Sequence, residues 1–206
     1  MSNRKTWTPG DVVDVAGPPA LLRSYLEQRD VRAYLHKAAA QTPIHRAYDI
    51  GSGFGRLTPV LSEAAAEVVG FEREASLVAT ARTLLPDLRF ELVPTLEHLP
   101  APSSSAEFIL TFTVLQHMTA ASARAVIGEL LRVLAPAGHL LIVEETNPRL
   151  EAGDAARADL GYTRGRPVAW YRSALKPLEL VATSARRIEP GYPRQDVGTY
   201  MFFRRT

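Results

Sequence analysis

The sequence predicts an α/β protein built on a mostly parallel sheet, and three observations support this prediction. Short apolar segments alternate with amphipathic segments between about residues 44 and 146. A glycine-rich stretch at 47–56, AYDIGSGFGR, directly follows the first apolar segment. Towards the end of the chain, two strand-like segments follow each other with no helix between them. The alternation predicts right-handed crossovers with helices on both faces of the sheet, and the final strands predict an antiparallel end.

The individual elements follow from hydrophobic periodicity and from helix-breaking residues. Two helices are expected first, at 19–29 and 31–41. Strands are then predicted at 47–50, 67–72, 88–93, 108–112 and 139–144, with helices between them at 57–66, 74–85 and 120–134. The last of these helices ends because Pro136 cannot extend it and Gly138 permits a reversal. The polar stretch 147–166 is predicted to be irregular or a short helical cap, followed by a helix at 168–176 and strands at 178–188 and 198–204.

Composition excludes several classes of function. The chain has no cysteine, which rules out disulfides, thiolate metal sites and a thiol nucleophile. Its five histidines lack metal-like spacing, so no metal is expected. No run of residues reaches membrane-spanning length and the N-terminus does not resemble a signal peptide, so a cytoplasmic protein with no membrane partner is expected. Without an aromatic–basic repeat, nucleic acid is not an expected partner either.

The glycine-rich stretch fits none of three common loops. A P-loop requires a glycine followed by lysine where Arg56 stands, and Ser52 lacks the spacing of a nucleophile elbow. The dinucleotide fingerprint also places its third glycine at position 56, whereas here the third glycine is Gly55. What remains is D-x-G-x-G-x-G followed by arginine, with an acid, Glu72, after the second predicted strand.

This pattern resembles motif I and the post-strand acid of the class I S-adenosylmethionine-dependent methyltransferases. The resemblance implies a seven-stranded, mostly parallel Rossmann-like methyltransferase sheet with an antiparallel last strand. It also implies that Gly51 and Gly53 allow the methionine portion of S-adenosyl-L-methionine to approach the backbone. Asp49 would then face the ammonium group, Arg56 would pair with the methionine carboxylate, and Glu72 would accept the ribose hydroxyls.

Three later stretches resemble the same family, and the likeness covers about residues 45–145. VPTLEHLP at 93–100 is similar to the segment that brackets adenine, which places Thr95 and Leu96 there. FILTFTVLQHM at 108–118 resembles the fourth strand and its loop. Thr111 and Phe112 would lie beside the methionine portion, and His117 would face the acceptor as a candidate general base. LLRVLAPAGHLLIVEE matches the helix, reversal and fifth strand.

The resemblance also divides the single domain at 1–206 into three parts: an N-terminal helical cap at 1–43, a cofactor-binding core at 44–146, and a substrate-cap segment with the last two strands at 147–206. Residues 1–146 hold 13 basic and 16 acidic residues, whereas 147–206 hold 11 and 6, so the last part is the basic one. Arg164 and Arg166 are therefore candidates for binding an anionic group on the acceptor. Glu144 and Tyr171 are further catalytic candidates. A solvated surface is the competing interpretation for the arginines and for Glu144.

These features predict methylation of an O or N atom in a small-molecule acceptor that carries an anionic group. A peptide or protein N-methyltransferase is a second hypothesis, although such enzymes place acids where Arg164 and Arg166 stand. A cofactor-binding subunit without turnover is a third. A nicotinamide oxidoreductase is disfavoured because position 56 is not glycine. The sequence makes no prediction of oligomeric state.

Overall fold

The structure, a computed structural model, describes residues 18–147, 163–186 and 198–206. Its elements in chain order are α1 (Pro18–Ala39), β1 (Ile44–Ile50), α2 (Thr58–Leu61), β2 (Ala65–Glu72), α3 (Ala75–Leu84), β3 (Arg89–Leu92), β4 (Ala106–Phe112), a one-turn 3₁₀ helix (Leu115–His117), α4 (Ala120–Val133), β5 (Leu134–Glu144), α5 (Val168–Ala174), β6 (Glu179–Ala185) and β7 (Thr199–Arg204). Most of the predicted irregular stretch 147–166, the first residues of the predicted N-terminal cap and the end of the predicted strand 178–188 lie outside the described residues.

The seven strands form one sheet in the order β3-β2-β1-β4-β5-β7-β6. The first five strands along the chain pair in parallel. β7 runs antiparallel to both of its neighbours, β5 and β6. The predicted fold class is therefore confirmed: a mostly parallel sheet with one antiparallel strand near its end. Strand order reverses between β1 and β4, which is where open α/β sheets bind their ligands.

Helices cover both faces of this sheet, as the periodicity predicts. On one face, α4 and α5 contribute Val126, Leu130 and Tyr171 to a buried apolar layer over the strands. On the other face, α1 and α2 contribute Leu35 and Leu61 to a second layer. The elements that carry the functional residues are therefore fixed from both sides by close-packed side chains. None of the described helices is both long enough and apolar enough to cross a membrane.

Four predicted elements differ clearly from the structure. The two helices expected before β1 form one continuous helix, α1, because no proline or glycine separates them. The helix expected at 57–66 ends at Leu61, since Ala65 pairs with Ile44 at the start of the β1–β2 ladder and this pairing overrides the helix propensity of the alanines. β5 begins before the predicted position and contains an irregularity, because its register with β4 jumps between Ala106 and Phe108.

Candidate active site

The glycine-rich loop follows β1 and owes its shape to three residues with positive φ. Gly51, Gly53 and Gly55 have φ of 70°, 59° and 86°, a backbone region that favours glycine. A side chain at position 51 would come within 2.5 Å of Val114 Cγ2 in the loop after β4. At position 55 it would come within 2.7 Å of both Leu85 and Phe90. Gly51 therefore permits close packing against the loop after β4, and Gly55 permits close packing against β3.

Glu72, at the end of β2, is tied directly to the glycine-rich loop. Its Oε2 accepts a hydrogen bond from the Gly53 amide at 2.9 Å. Its Oε1 accepts from the amides of Arg73 and Glu74 at 2.7 and 3.0 Å. Because each carboxylate oxygen offers about two acceptor positions, Oε2 retains one. Glu72 therefore holds the loop and keeps one acceptor position unused, and its contact with the ribose stays a prediction.

Asp49 is a buried carboxylate at the end of β1, 3% exposed. The Thr58 hydroxyl donates to its Oδ2 at 2.6 Å. Burial raises the pKa of Asp49 to about 6, with Glu72 adding to the rise and Thr58 and Arg56 opposing it. A cationic group next to Asp49 would reverse much of that shift. The position therefore suits the ammonium group that the sequence analysis assigned to it.

Arg56 points from the glycine-rich loop towards α1. Its Nη1 lies 2.7 Å from Glu27 Oε2. Glu27 also accepts from Arg23 Nε at 3.0 Å and from Arg186 Nε at 2.9 Å. Two of these guanidinium groups, those of Arg56 and Arg186, also lie over the Phe112 ring at the end of β4, 5.4 and 4.9 Å from its centroid. We call these five residues the Glu27 cluster.

The electrostatics of the Glu27 cluster are dominated by its guanidinium groups. Burial would raise the pKa of the Glu27 carboxyl, but the charges of Arg186, Arg56 and Arg23 hold it below its ordinary value. Sequence reasoning identified Arg56 and Phe112 and missed the other three members. The Arg186–Glu27 pair joins residues 159 positions apart, so no local pattern could reveal it.

The remaining predicted cofactor residues take different positions. The Thr95 hydroxyl accepts from the Glu97 amide at 3.1 Å and so closes its own turn. The Leu96 side chain is 3% exposed and packs in the core. Thr111 is fully buried, and its hydroxyl has no hydrogen-bond partner within the part of the chain that the structure describes. The adenine and methionine roles of these residues remain predictions.

Glu144 lies beneath the loop after β4 and is completely buried. Its carboxylate accepts from three consecutive amides, those of Val114, Leu115 and Gln116, at 3.0, 2.9 and 2.9 Å. Burial raises the pKa of Glu144 to about 7, and the three amides and Arg166 oppose that rise. This arrangement corrects the solvated interpretation of Glu144, because the carboxylate is enclosed and bound to the loop; its catalytic role stays a prediction.

Arg166 and Tyr171 also differ from expectation. Arg166 is 1% exposed and donates to the carbonyl of Leu115 at 2.8 Å and to that of Met118. Its guanidinium therefore binds the loop rather than an acceptor. Tyr171 is fully buried in the core, and burial raises the pKa of its phenol above the ordinary value. Neither side chain is exposed in this structure, so it gives no support to their predicted roles toward an acceptor, which stay predictions.

Arg164 remains a candidate for binding the acceptor, and His117 remains a candidate general base. The Arg164 amide donates to the Gln116 carbonyl at 2.7 Å, which places this half-buried residue beside the loop that carries His117. His117 is also half-buried, and its Nε2 lies 3.3 Å from Gln116 Nε2. Both residues therefore lie near the carboxyl edge of the sheet, where β4 and β5 end.

The residues at this edge fit S-adenosylmethionine in their chemistry. Gly51 and Gly53 adopt positive φ and place no side chain in the loop. Glu72 retains an acceptor position, Asp49 suits an ammonium group, and Arg56 offers donors to a carboxylate.

Comparisons with known proteins agree with this chemistry. Residues 48–142 match the family model described as "Methyltransferase domain". A trans-aconitate 2-methyltransferase from Variovorax paradoxus is 31% identical over 185 residues, which cover 83% of this chain and 69% of that protein. A second trans-aconitate 2-methyltransferase, from Delftia acidovorans, is 31% identical over 140 residues, which cover 65% of this chain and 50% of that protein.

A solved structure supports the fold independently. Magnesium protoporphyrin IX methyltransferase from Synechocystis PCC 6803, with bound S-adenosylhomocysteine, aligns with a TM-score of 0.70 at 18% identity over 89% of this chain and 84% of that one. The glycine loop, Glu72 and these matches agree, and this chain belongs to the class I S-adenosylmethionine-dependent methyltransferases.

Proposed function

We propose that this methyltransferase methylates an O or N atom of a small molecule that carries at least one carboxylate. The observation that carries the proposal is the position of Arg164, half-buried beside the loop that carries His117. The Glu27 cluster adds three guanidinium groups that surround a single carboxylate near the glycine-rich loop. The names of the two curated relatives support it, because trans-aconitate is a tricarboxylate.

The electrostatics of Arg56 explain why a carboxylate suits this place. Burial lowers the pKa of Arg56, and the neighbouring Arg186 and Arg23 lower it further, so Glu27 compensates the charge only in part. Guanidinium groups bind carboxylates bidentately and gain most where water is excluded. A ligand carboxylate beside Arg56 would therefore relieve the repulsion among the three cations. The same chemistry applies to the methionine carboxylate of the cofactor and to an acceptor carboxylate, so the experiment must separate them.

The chain's contribution to the reaction is mainly positioning. The bound cofactor supplies an electrophilic methyl group on a sulfonium. Gly53 and Glu72 would hold its ribose side, Asp49 and Arg56 its amino-acid side, and the loop after β4 would place His117 next to the acceptor. Alignment of two reactants can remove about 7–11 kcal/mol of a barrier, whereas a general base contributes about 10²–10⁴-fold. His117 would accept a proton from a hydroxyl or an ammonium acceptor, while a carboxylate oxygen needs no base.

A panel of acceptors tests the proposal. Purified protein with S-adenosylmethionine is incubated with tricarboxylates including trans-aconitate, with their neutral amides, with amines and with a short peptide, and methylated products are identified by mass spectrometry. We expect the carboxylates to be the best acceptors and added salt to raise their KM. A neutral or cationic best acceptor would refute the proposal. Methylation of the peptide alone would favour the N-methyltransferase hypothesis.

Kinetics of single variants separate the two carboxylate sources. Arg164→Ala should raise the KM for the acceptor and leave the KM for the cofactor unchanged. Arg56→Ala should instead raise the KM for the cofactor. Arg172→Ala is the matched control, since Arg172 is exposed on α5. His117→Ala should lower kcat, and the loss should shrink as pH rises because a more ionised nucleophile needs the base less. A loss that is equal at every pH would assign His117 to positioning or indicate a carboxylate nucleophile.

A further inference from the structure

The one-turn helix Leu115–His117 is held at both ends by buried charged side chains. At its N-terminal end, Glu144 accepts three consecutive amides. At its C-terminal end, Arg166 donates to the carbonyls of Leu115 and Met118. The three amides are groups that a short helix leaves without intrahelical partners. The Leu115 carbonyl accepts from the Met118 amide at 3.1 Å as well as from Arg166. The anion at the amides and the cation at the carbonyls also match the direction of the helix dipole.

Further contacts tie the same loop to β5 and to the described part of the substrate-cap segment. The Gln116 side-chain oxygen accepts from the Glu145 amide at 2.7 Å, and the Gln116 carbonyl accepts from the Arg164 amide at 2.7 Å. The Arg166 amide donates to the Glu145 carbonyl at 3.2 Å. Gly165 packs so closely on the Asn147 carbonyl that no larger residue fits there. Residues 164–166 and the loop after β4 therefore form one hydrogen-bonded unit.

We infer that Glu144 and Arg166 are positioning residues that together fix the orientation of His117. Both side chains are buried beneath the loop, and the hydrogen bonds of both go to its backbone. Their two charges bind opposite ends of the turn that carries His117, so loss of either frees one end of the turn. Arg166 also links that orientation to the substrate-cap segment. The turnover measurements below rest on the proposed base role of His117, whereas the hydrogen-exchange and ring-signal measurements do not.

The test uses Glu144→Gln and Arg166→Lys in the full chain. Glutamine would turn its carboxamide NH2, a donor, towards at least one of the amide donors. Lysine lacks the planar guanidinium of arginine and so cannot bind the two carbonyls in the same way. Hydrogen exchange of the amides at 114–116 should become about tenfold faster or more. The ring signals of His117, assigned by comparison with His117→Ala, should change their chemical shifts and their titration in both variants. Glu129→Gln is the matched control: that buried carboxylate accepts the Leu99 amide at 2.6 Å on another part of the chain, and its loss should leave these signals unchanged.

Turnover then separates positioning from a general structural effect. Each single variant should lower kcat by about tenfold or more while the affinity for S-adenosylhomocysteine changes by less than about twofold. Adding Glu144→Gln to His117→Ala should cause little further loss, since the effect acts through His117. Unchanged His117 signals and exchange rates in both variants would overturn the inference, as would full further loss in the double variant. If His117→Ala itself retains full turnover, the proposed base role fails, and the exchange and ring signals alone decide this inference.

Discussion

Lowering the pH through about 6 should weaken cofactor binding, and Asp49 should be the cause. Burial raises the pKa of this carboxyl to about 6 in the ligand-free protein. Binding of an ammonium group beside Asp49 favours the ionised form, so the complex forms best when the carboxyl has lost its proton. As pH falls below the pKa of Asp49, part of the binding energy must be spent on removing that proton.

The magnitude follows from that pKa. If only the ionised form binds, the apparent Kd is the intrinsic Kd divided by the ionised fraction, about 0.9 at pH 7 and about 0.1 at pH 5 for a pKa near 6. The Kd of S-adenosylhomocysteine should therefore rise by about tenfold between these two pH values, equivalent to about 1.4 kcal/mol. Isothermal titration calorimetry at a series of pH values measures this directly, and circular dichroism verifies that the protein remains folded at pH 5.

Asp49→Asn is the matched control for this dependence. Asparagine keeps an oxygen that can accept from the Thr58 hydroxyl, which in the wild type lies 2.6 Å from Oδ2, but it cannot ionise. The variant should bind more weakly at pH 7 and with little change between pH 7 and pH 5. An equal pH dependence in the wild type and the variant would assign the effect to another group and remove Asp49 from the ammonium site.

Three further outcomes are expected. Glu72→Ala should weaken binding of S-adenosylhomocysteine by about 1.5–3 kcal/mol with the fold retained, and an unchanged calorimetric Kd would contradict the ribose role. Gly53→Val should abolish binding of S-adenosylhomocysteine, because φ is 59° at this position and a β-branched residue does not adopt it. Gly128→Ala in α4 is the control and should bind normally, since an added Cβ there meets nothing within 4 Å. Tight binding by the valine variant would refute the loop assignment. His139 stacks on Phe202, and burial lowers the pKa of His139 to about 4. Because the unfolded chain binds this proton more readily, the free energy of unfolding should fall by about 3 kcal/mol as pH drops from 7 to 4. His139→Phe should remove this contribution in urea unfolding, and an unchanged pH dependence in the variant would show that another group causes the loss.

Local patterns were sufficient to predict most of the sheet and the glycine-rich loop after β1. Apolar segments of strand length located all five parallel strands, because burial on both faces makes them nearly continuous. The spacing from Gly51 to Glu72 predicted that the ends of the first two strands lie at the same edge of the sheet. The hydrogen bond from the Gly53 amide to Glu72 joins these two strand ends. Where prediction failed, as at Ala65, the pairing with a neighbouring strand decided the outcome over local propensity.

Prediction of the acceptor side was limited by contacts between distant residues. Positions 164 and 166 are both arginine and lie in the same segment, yet only Arg166 is buried against loop carbonyls. The Glu27 cluster joins α1 to the residue after β6, and no periodicity in either segment indicates that contact. Charge alone therefore identified a basic region correctly but could not separate arginines that hold the fold from arginines that face a ligand.

Glu72 and Glu144 show why an acid at the end of a parallel strand is ambiguous in a sequence. Each carboxylate accepts three backbone amides, and in each case Oε1 takes two and Oε2 takes one. The hydrogen bonds to their own chain therefore do not distinguish a ligand-binding carboxylate from a loop-holding one. Their surroundings do: Glu72 is tied to a glycine loop and keeps 6% exposure, whereas Glu144 is 0% exposed and close to the Arg166 charge. The exposure of Glu72 is compatible with its predicted contact to a ribose hydroxyl, whereas the hydrogen bonds of Glu144 go to the loop above it.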